Sequence, residues 1–323
     1  MPPSHELSDQ KGKFLKKILQ DLDSDHERQF YAGWLKQNGF EDRSDFIVMQ
    51  CIHHAAREVA HGNRRLINPT DLHRFAAVEK EEQRLFRKHE EEWRTEEDPP
   101  EGIFVGKVQW ERGFPYFGTI DWANVDKDAL ADAMKNHPIQ GIVVNNLTAT
   151  NAEDFFKQSW MEQLRHLVLE GNEEFGDEGV KHLTACPSAQ QLQFLNLMQC
   201  GITLEGAKTL AASPNLEGLN VLRIANNNIT ADGVYALANA AHFPALWKII
   251  VREASHDGAF YQTLNPDKMG KFTENLKMQE WMTREENSGD LPGTQKVTPE
   301  TITHWSQTRV QDLLSHPNAD TEK

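Results

Sequence analysis

The sequence predicts an α/β fold. A short solenoid of repeats, with a parallel concave sheet and outer helices, is preceded by an all-helical domain and followed by a linker and a helix. Four segments beginning at Leu164, Leu192, Leu219 and Leu246 carry apolar residues at positions 1, 4 and 6, and stretches of helical periodicity separate them. Upstream, apolar residues recur at helical spacing until the proline pair at 99–100, which prevents a helix from continuing.

Composition and charge limit the classes of partner. The 323-residue chain carries a formal net charge of -15 and a mean hydropathy of -0.64. Binders of nucleic acid or of anionic membranes present basic surfaces, so neither class is expected. The first residues show no signal sequence, and no apolar run approaches the roughly 18 residues of a membrane span. Three cysteines without C-x-x-C spacing are typical of reduced thiols. We therefore expect a cytoplasmic protein without a cofactor.

Composition also divides the chain into segments. We expect a disordered tail over 1–12, an all-helical domain over 13–98, a strand and helix cap of the solenoid over 101–136, the repeats over 137–255, a C-terminal cap over 256–282, a flexible linker over 283–297 and an amphipathic helix over 298–316. In the last of these segments, the apolar residues are Ile302, Trp305, Val310, Leu313 and Leu314.

The repeated segments share one spacing. Their apolar sets are Leu164/Leu167/Leu169, Leu192/Leu195/Leu197, Leu219/Leu222/Ile224 and Leu246/Ile249/Val251, with a degenerate earlier copy at Ile139/Ile142/Val144. A strand of about three residues would send these side chains inward before the chain turns sharply. Asn172, Cys200 and Asn227 come three residues past the last apolar position. An inward Asn can bond the backbone groups that such a turn leaves unpaired.

A predicted helix follows each turn. The segments DEGVKHLTACP, LEGAKTLAASP and ADGVYALANAA each have an acidic residue, a glycine and a helical apolar face. Thr203 and Thr230 are predicted N-caps of two of these helices. Four or five such units would stack into a solenoid.

The L-x-x-L-x-L-x-x-N/C pattern resembles leucine-rich repeats. The GIT-x-E-GA and NIT-x-DG segments resemble their long, ribonuclease-inhibitor-like class. This resemblance covers residues 137–255, and it implies the solenoid fold.

A second resemblance covers residues 13–51, which are similar to the repeat-companion domain of bacteria rich in large paralogous families. The matching positions are Asp25, Arg28, Tyr31, Ala32, Trp34, Leu35, Gly39, Arg43, Phe46, Ile47 and Gln50. Gly33 stands where the pattern usually has Asp. The segments ERGF at 111–114 and HPIQGI at 137–142 resemble linking segments of the same proteins. The resemblance implies an architecture and a bacterial source, and it implies no reaction.

Metal and nucleophilic chemistry are weakly supported. Cys51, His54 and His61 fall on one helical face and could bind a soft metal, but a structural zinc site needs four ligands. The alternative is a helix with partly exposed histidines. Cys200 has a structural role at the repeat turn, and Cys186 ends a repeat helix. Phosphate-loop, G-x-S-x-G and H-E-x-x-H motifs are missing from the sequence, so we predict no enzyme, no catalytic residue and no metal.

The candidate binding site is the outward face of the predicted sheet. Residues beside each inward Leu point away from the helices. Across repeats they form a first row of Gly141, His166, Phe194, Val221 and Lys248, a second row of Val143, Val168, Asn196, Arg223 and Ile250, and a third row of Asn145, Glu170, Met198, Ala225 and Arg252. Partner binding is predicted for Val143, His166, Val168, Phe194, Asn196, Met198, Val221, Arg223, Lys248, Ile250 and Arg252. An apolar centre with Arg at its edge suits a protein interface. Alternatively, the N-terminal domain or the C-terminal helix covers the same patch.

Three functions remain open on the sequence. The favoured one is a non-enzymatic intracellular scaffold or adaptor that binds another protein through the concave face. The second is an inhibitor or cleavable regulatory target of a protease or nuclease, suggested by the repeat class and by the segment from Thr283 to Lys296. A metal-dependent enzyme that uses the His-rich helix is the third and least favoured.

Overall fold

The computed structural model describes residues 4–62, 69–246, 248–250, 259–260, 263–264 and 296–297. Helices form the first part of the chain, and a sheet with mostly parallel strands forms the second. This mixed α/β architecture is consistent with the predicted repeat solenoid. None of the helices in the described part of the chain combines the length and apolarity needed to cross a membrane.

Four helices make up the N-terminal part. They are α1 (Ser4–Gln20), α2 (His26–Gln37), α3 (Glu41–Gly62) and α4 (Pro69–Glu97). The first three helices pack against one another through the buried side chains of Ile18, Tyr31, Ile47 and Cys51. The fourth packs on α3 through Phe46, Leu85 and Trp93.

Helix α1 begins inside the segment that the sequence predicts to be a disordered tail, residues 1–12. Its second half packs Phe14 and Leu15 onto α2, and Lys11 lies 2.9 Å from carboxylate oxygens of both Glu96 and Glu97. Adding residues to an anchored helix costs far less than starting one, so the helix extends back to Ser4. The predicted tail therefore differs from the structure from Ser4 onward.

A hairpin joins the two parts. It consists of β1 (Gln109–Glu111) and β2 (Phe114–Asp121), which pair antiparallel. Its turn residues Arg112 and Gly113 have φ values of 50° and 86°, the left-handed combination that suits a two-residue hairpin turn. Gly113 thus lies in the turn, whereas Pro115 lies inside β2.

The further strands are β3 (Gly141–Asn145), β4 (His166–Val168), β5 (Phe194–Asn196), β6 (Val221–Arg223), β7 (Lys248–Ile250), β8 (Ala259–Phe260), β9 (Thr263–Leu264) and β10 (Lys296–Val297). The sheet has the strand order β1-β2-β3-β4-β5-β6-β7-β9, and its strands are parallel from β2 to β7. The returning helices are α5 (Lys127–Asn136), α6 (Ala149–Phe156), α7 (Gly176–Ala185), α8 (Leu204–Ala211) and α9 (Thr230–Ala238). Each parallel strand from β2 to β6 is thus followed by a helix.

The predicted inward positions form the core between sheet and helices. Ile142, Leu167, Leu195, Leu222 and Ile249 occupy the same place in successive strands, and each is completely buried. Burying one such side chain contributes about 1.5–3 kcal/mol. The regular stacking of the repeats therefore rests on the residues that carry the sequence periodicity.

Of the two predicted N-caps, Thr203 is present in the structure and Thr230 is not. The hydroxyl of Thr203 caps α8 by accepting from the backbone N–H of Glu205, at 3.3 Å. Thr230 is instead the first residue of α9, with a φ of 58°, and Ile229 occupies the cap position. The predicted Thr230 cap is therefore wrong.

The C-terminal predictions fall mostly outside the described residues. Of the expected cap over 256–282, β8 and β9 are described, and of the linker over 283–297, only β10 is described. The amphipathic helix predicted over 298–316 lies outside them entirely.

Candidate functional site

The turn after β4 is held by an asparagine, as the sequence predicts. Asn172 is 7% exposed, and its Oδ1 accepts from the backbone N–H of Leu147 at 2.8 Å. Its Nδ2 donates to the carbonyl of Val144 at 2.7 Å and to that of Leu169 at 2.8 Å. One side chain therefore satisfies backbone groups of two adjacent repeats.

The equivalent residues of the next two repeats act in the same way. Asn227 Oδ1 accepts from the backbone N–H groups of Cys200 and Ile202, both at 3.0 Å. Its Nδ2 donates to the carbonyl of Leu197 at 2.7 Å. Cys200 replaces Asn in the intervening repeat, and its thiol donates to the carbonyl of Leu169 at 3.0 Å. The turn pattern that the sequence identifies is confirmed in geometry.

Strand pairing confirms the alignment of the first two predicted rows across the strands. We call the face of the parallel sheet opposite its helices the open face; it is defined by the side chains of the three rows. Strand pairing aligns Gly141, His166, Phe194, Val221 and Lys248 in the first row. It aligns Val143, Val168, Asn196, Arg223 and Ile250 in the second. Residues far apart in sequence therefore form one continuous surface.

The nine described side chains that are predicted to bind a partner are all half-buried or buried. Val143, His166, Val168, Phe194, Val221 and Arg223 are half-buried, whereas Asn196, Met198 and Ile250 are buried. The backbone of Lys248 lies in β7, although its side chain is not among the described ones, and Arg252 lies outside the described residues. The structure thus brings together nine of the eleven predicted side chains on one face.

The hairpin and the helical part meet one end of this face. Tyr116, on β2, places its hydroxyl 3.1 Å from Nδ1 of His166. On the helical side, Nδ1 of His54 lies 2.6 Å from Oε1 of Glu111, which joins α3 to β1. Phe194 continues the contact on the other side, with its ring centroid 6.0 Å from that of His166.

Burial at this end changes the ionisation of His166. Removal from water disfavours the charged imidazolium and lowers the pKa of His166 to about 4, although the nearby carboxylate of Glu111 opposes the shift. Positive groups nearby, Arg112 and Arg165 among them, lower the pKa further. His166 is therefore neutral near pH 7 and can act as a hydrogen-bonding contact rather than a charge.

Two of the residues that the sequence suggests as metal ligands, Cys51 and His54, are buried or already hydrogen-bonded. Cys51 is buried, and burial raises the pKa of its thiol to about 12. His54 is engaged by Glu111, and the side chain of His61 lies outside the described ones. Within the described residues, no group of three or more His, Cys, Asp or Glu side chains could hold a metal ion.

The other two cysteines are buried as well. Burial raises the pKa of the Cys200 thiol to about 12, and it also raises that of Cys186. The Cys186 thiol donates to the carbonyl of Phe156 at 3.2 Å. Thiolate is the nucleophilic form of cysteine, so these environments disfavour nucleophilic chemistry at either residue.

A polar junction that residue chemistry alone does not predict connects the helical part to the sheet; it is buried at Arg112 and Gln140 and exposed at Asp23. Arg112 is 1% exposed; it donates to the carbonyl of Asp23 at 3.1 Å and pairs with the side-chain oxygen of Gln140. Gln140 in turn donates to the Asp23 carboxylate at 2.9 Å. Arg165, the residue before β4, closes the junction with an ion pair to Asp23 at 2.7 Å.

The signal for this junction was present in the sequence as a resemblance only. Arg112 belongs to the ERGF segment, Gln140 to the HPIQGI segment, and Asp23 and Asp25 to the loop before α2. Asp25 lies 3.5 Å from Arg112. The two segments thus have a physical role, since they carry the polar groups that join the helices to the sheet.

Two residues of α3 that match the companion-domain pattern, Arg43 and Gln50, hold the turn of the hairpin by hydrogen bonds. The buried guanidinium of Arg43 donates to the carbonyl of Gly113 at 2.6 Å. Its carbon also lies 4.8 Å from the ring centroid of Trp93 and 4.9 Å from that of Trp110. Gln50 accepts from the backbone N–H of Gly113 at 2.7 Å. Both backbone groups of the turn glycine are therefore satisfied by the helical part.

The fold and turn chemistry define a protein of stacked strand–turn–helix units. A family model described as Leucine Rich repeat matches residues 163–183, 189–211 and 219–238. These matches support a leucine-rich-repeat protein, and they fall on the units that contain β4, β5 and β6. A search of curated proteins finds no match to the chain.

Proposed function

We propose that the chain is a non-enzymatic scaffold or adaptor, and that it binds another protein through the open face of its repeat solenoid. Leucine-rich repeats are generally protein-interaction modules, which supports a binding role in this general sense. The ribonuclease-inhibitor-like repeat class and the companion-like identity of the helical part belong to the same proposal.

One observation carries this proposal. The rows of the open face align across consecutive parallel strands and place Phe194, Val168 and Val221 together, with Arg223 beside them. Aromatic residues and Arg are enriched at protein interfaces, so Phe194 and Arg223 are the expected anchors and Val168 and Val221 form the apolar surface around them. The side chains remain half-buried, so part of each is accessible to a partner.

The footprint would be centred on β4 to β6. At the β2–β4 end, Tyr116 and His166 already contact each other, and that contact reduces the surface that a partner could reach. Phe194 and Val221 lie beyond it and are neighbours in the first row. These two residues are therefore the best positions at which to disrupt binding.

The test is affinity capture from native cell extract with wild-type protein and with the double variant Phe194→Glu/Val221→Glu. Each hot-spot residue contributes about 2 kcal/mol or more to binding, so the variant should lose a specific partner almost completely. Tyr235→Glu is the matched control, because Tyr235 is 49% exposed on α9, away from the sheet.

Thermal unfolding of the three proteins decides between outcomes. Loss of a partner from the double variant alone, with unchanged stability, supports the proposal. A partner that persists with both variants moves the binding site to another surface. Loss of stability in the double variant would show that the chain itself covers the face.

A further inference from the structure

Glu170 places an exposed carboxylate on the open face. It follows β4 in the third row, and the parallel pairing continues past it, since the backbone N–H of Gly171 donates to the carbonyl of Met198 at 2.9 Å. Strand alternation puts Glu170 on the same side of the sheet as His166 and Val168. Glu170 is exposed, whereas Val168 is half-buried and Met198 is buried. It is not among the residues that the sequence predicts to bind a partner.

A buried amide holds this carboxylate in place. Asn196 is 2% exposed, and its Nδ2 donates to Oε2 of Glu170 at 2.7 Å. The Oδ1 of Asn196 accepts from the backbone N–H of Met198 at 3.1 Å, which fixes the orientation of the amide. Glu170 therefore loses less side-chain entropy when it binds a partner than a freely rotating surface glutamate would.

The charge of Glu170 is left for a partner to neutralise. Its hydrogen bond is to the neutral amide of Asn196, and no Lys, Arg or His among the described residues forms an ion pair with it. Strand pairing sets Val168, Asn196 and Arg223 side by side, so Arg223 lies on the far side of Asn196. Adjacent strands are about 4.8 Å apart, which separates the backbones of β4 and β6 by about 10 Å.

Asp121 adds a second carboxylate at the same edge of the sheet. It ends β2 in register with Asn145 of β3, and it accepts from the side-chain amides of Asn146 and Asn124 at 2.8 Å each. These hydrogen bonds lower the pKa of Asp121, so the carboxyl group stays ionised. The carboxyl ends of β2 to β4 thus carry negative charge, whereas Arg223 carries positive charge on β6. Opposite charges at two ends of a surface orient a bound segment.

A basic side chain suits this edge better than a metal ion. Asp121 and Glu170 end strands that are two positions apart, about 10 Å, and Glu170 reaches toward Asn196 on β5, away from Asp121. Within the described residues, no group of three or more His, Cys, Asp or Glu side chains could hold a metal ion. A guanidinium or an ammonium group needs only one carboxylate to form a strong, charge-assisted hydrogen bond.

The spacing between Glu170 and the apolar centre defines what the partner carries. Val168 lies two residues before Glu170 on the same side of the sheet, and Phe194 lies in the first row of the next strand. At about 3.3 Å per residue, the first row is about 13 Å from the third. An extended segment of a partner covers this distance in about four residues.

We propose that Glu170 determines the specificity of the open face by binding a Lys or Arg side chain of the partner, located within about four residues of the partner's apolar anchor. Asn196 is the positioning residue for this contact. The role of Glu170 rests on the proposed function, and it states the chemistry of the partner at the same face.

The test selects peptides from a phage-displayed library of short random sequences on immobilised full-length protein. The peptides compared are those that the Phe194→Glu/Val221→Glu chain does not retain. On wild type, Lys and Arg should be enriched close to an aromatic or aliphatic residue, and the enrichment should disappear on Glu170→Gln. Glu170→Lys should instead enrich Asp and Glu, because it reverses the charge that the peptide meets.

One enriched peptide, synthesised and titrated by calorimetry, gives the size of the effect. Its affinity for Glu170→Gln should fall at least about tenfold, since a hydrogen bond between charged groups is lost. Its affinity should also depend less on salt concentration. Glu178→Gln is the matched control, because it removes a carboxylate from an exposed position of α7, on the helix side of the sheet, and it should change neither affinity nor enrichment.

The positioning role of Asn196 is measured with the same peptide. In the Asn196→Ala chain, the loss of affinity caused by Glu170→Gln should be smaller than in wild type, because the carboxylate is no longer held in place. A purely structural role of Asn196 would leave the two losses equal.

Three results would overturn the role of Glu170. Peptides that need Phe194 and Val221 but bind Glu170→Gln as tightly as wild type would leave the proposed function standing without it. An equal loss of affinity in Glu178→Gln would show attraction to the net charge of -15 rather than to one residue. If no peptide depends on the open face, the proposed function itself fails.

Discussion

Replacement of the turn asparagine Asn172 by alanine tests the chemical reason for the repeat pattern. The side chain accepts one hydrogen bond from the backbone N–H of Leu147 and donates two, to the carbonyls of Val144 and Leu169. Alanine removes all three bonds from a site where Asn172 is 7% exposed. Water therefore has little access to replace them.

The magnitude follows from the three bonds. A buried N–H left without an acceptor costs about 1–3 kcal/mol, and each lost bond to a carbonyl costs about 0.5–1.5 kcal/mol. The carbonyls tolerate the loss better than the N–H, because each keeps its backbone environment and a second lone pair. We expect Asn172→Ala to lower the free energy of unfolding by about 2–6 kcal/mol.

Urea denaturation followed by circular dichroism measures this difference, with equal m values as the check that both proteins unfold in the same way. Asn145→Ala is the control, because Asn145 is exposed at the end of β3 and should stay within about 0.5 kcal/mol of wild type. A destabilisation below about 1 kcal/mol in Asn172→Ala would refute the role assigned to the turn asparagine.

Three further perturbations follow from buried groups. Arg112→Ala should lower the free energy of unfolding by about 3–5 kcal/mol, since it leaves the other polar groups of the junction unpaired, and urea denaturation measures it. His166→Gln should flatten the pH dependence of stability: the folded pKa of His166, about 4, lies below the ordinary histidine value of 6.5, so wild type loses stability as pH falls between those values, whereas glutamine does not titrate. Gly201→Ala should cost about 1–3 kcal/mol, because Gly201 has a φ of 69° and a methyl group there would collide with the carbonyl oxygen of Glu173.

Each of these has a control and a contrary outcome. Arg87→Ala, at an exposed position of α4, is the control for Arg112, and equal stabilities of the two variants would contradict a buried junction. An unchanged pH profile in His166→Gln would show that another group is responsible. Gly171→Ala shares the positive φ, 84°, but has no atom within 4 Å of the added methyl, so an equally large loss there would exclude the collision as the cause.

The repeat region is the part of the structure that follows most directly from the sequence. The inward positions of β3 to β7, the row alignment and the roles of Asn172, Cys200 and Asn227 are predicted correctly, because each depends on residues close in sequence and is repeated several times. The N-cap at Thr230 is predicted wrongly, since a cap depends on backbone angles that residue type only favours.

The helical part was predictable in its elements but not in its contacts. An all-helical domain over 13–98 is expected from apolar spacing and from the prolines at 99–100, and helices α2 to α4 lie within that range. Their attachment to the sheet is not. Arg112 is a charged residue in a turn, which ordinarily suggests exposure, yet it is 1% exposed beside the loop that precedes α2. Its burial depends on Gln140 and Asp23, which no local pattern associates with it.

The sequence by itself therefore determines a stack of strand–turn–helix units, their register and the residues that close each turn, because these properties are local and periodic. Only the tertiary structure decides how accessible the open face is. It places Tyr116 against His166, half-buries Phe194 and Val221, and joins Asp23 to Arg165, two residues separated by 142 positions. Pairings between residues so distant in sequence have no periodic signature, because they arise only when separately formed elements pack together.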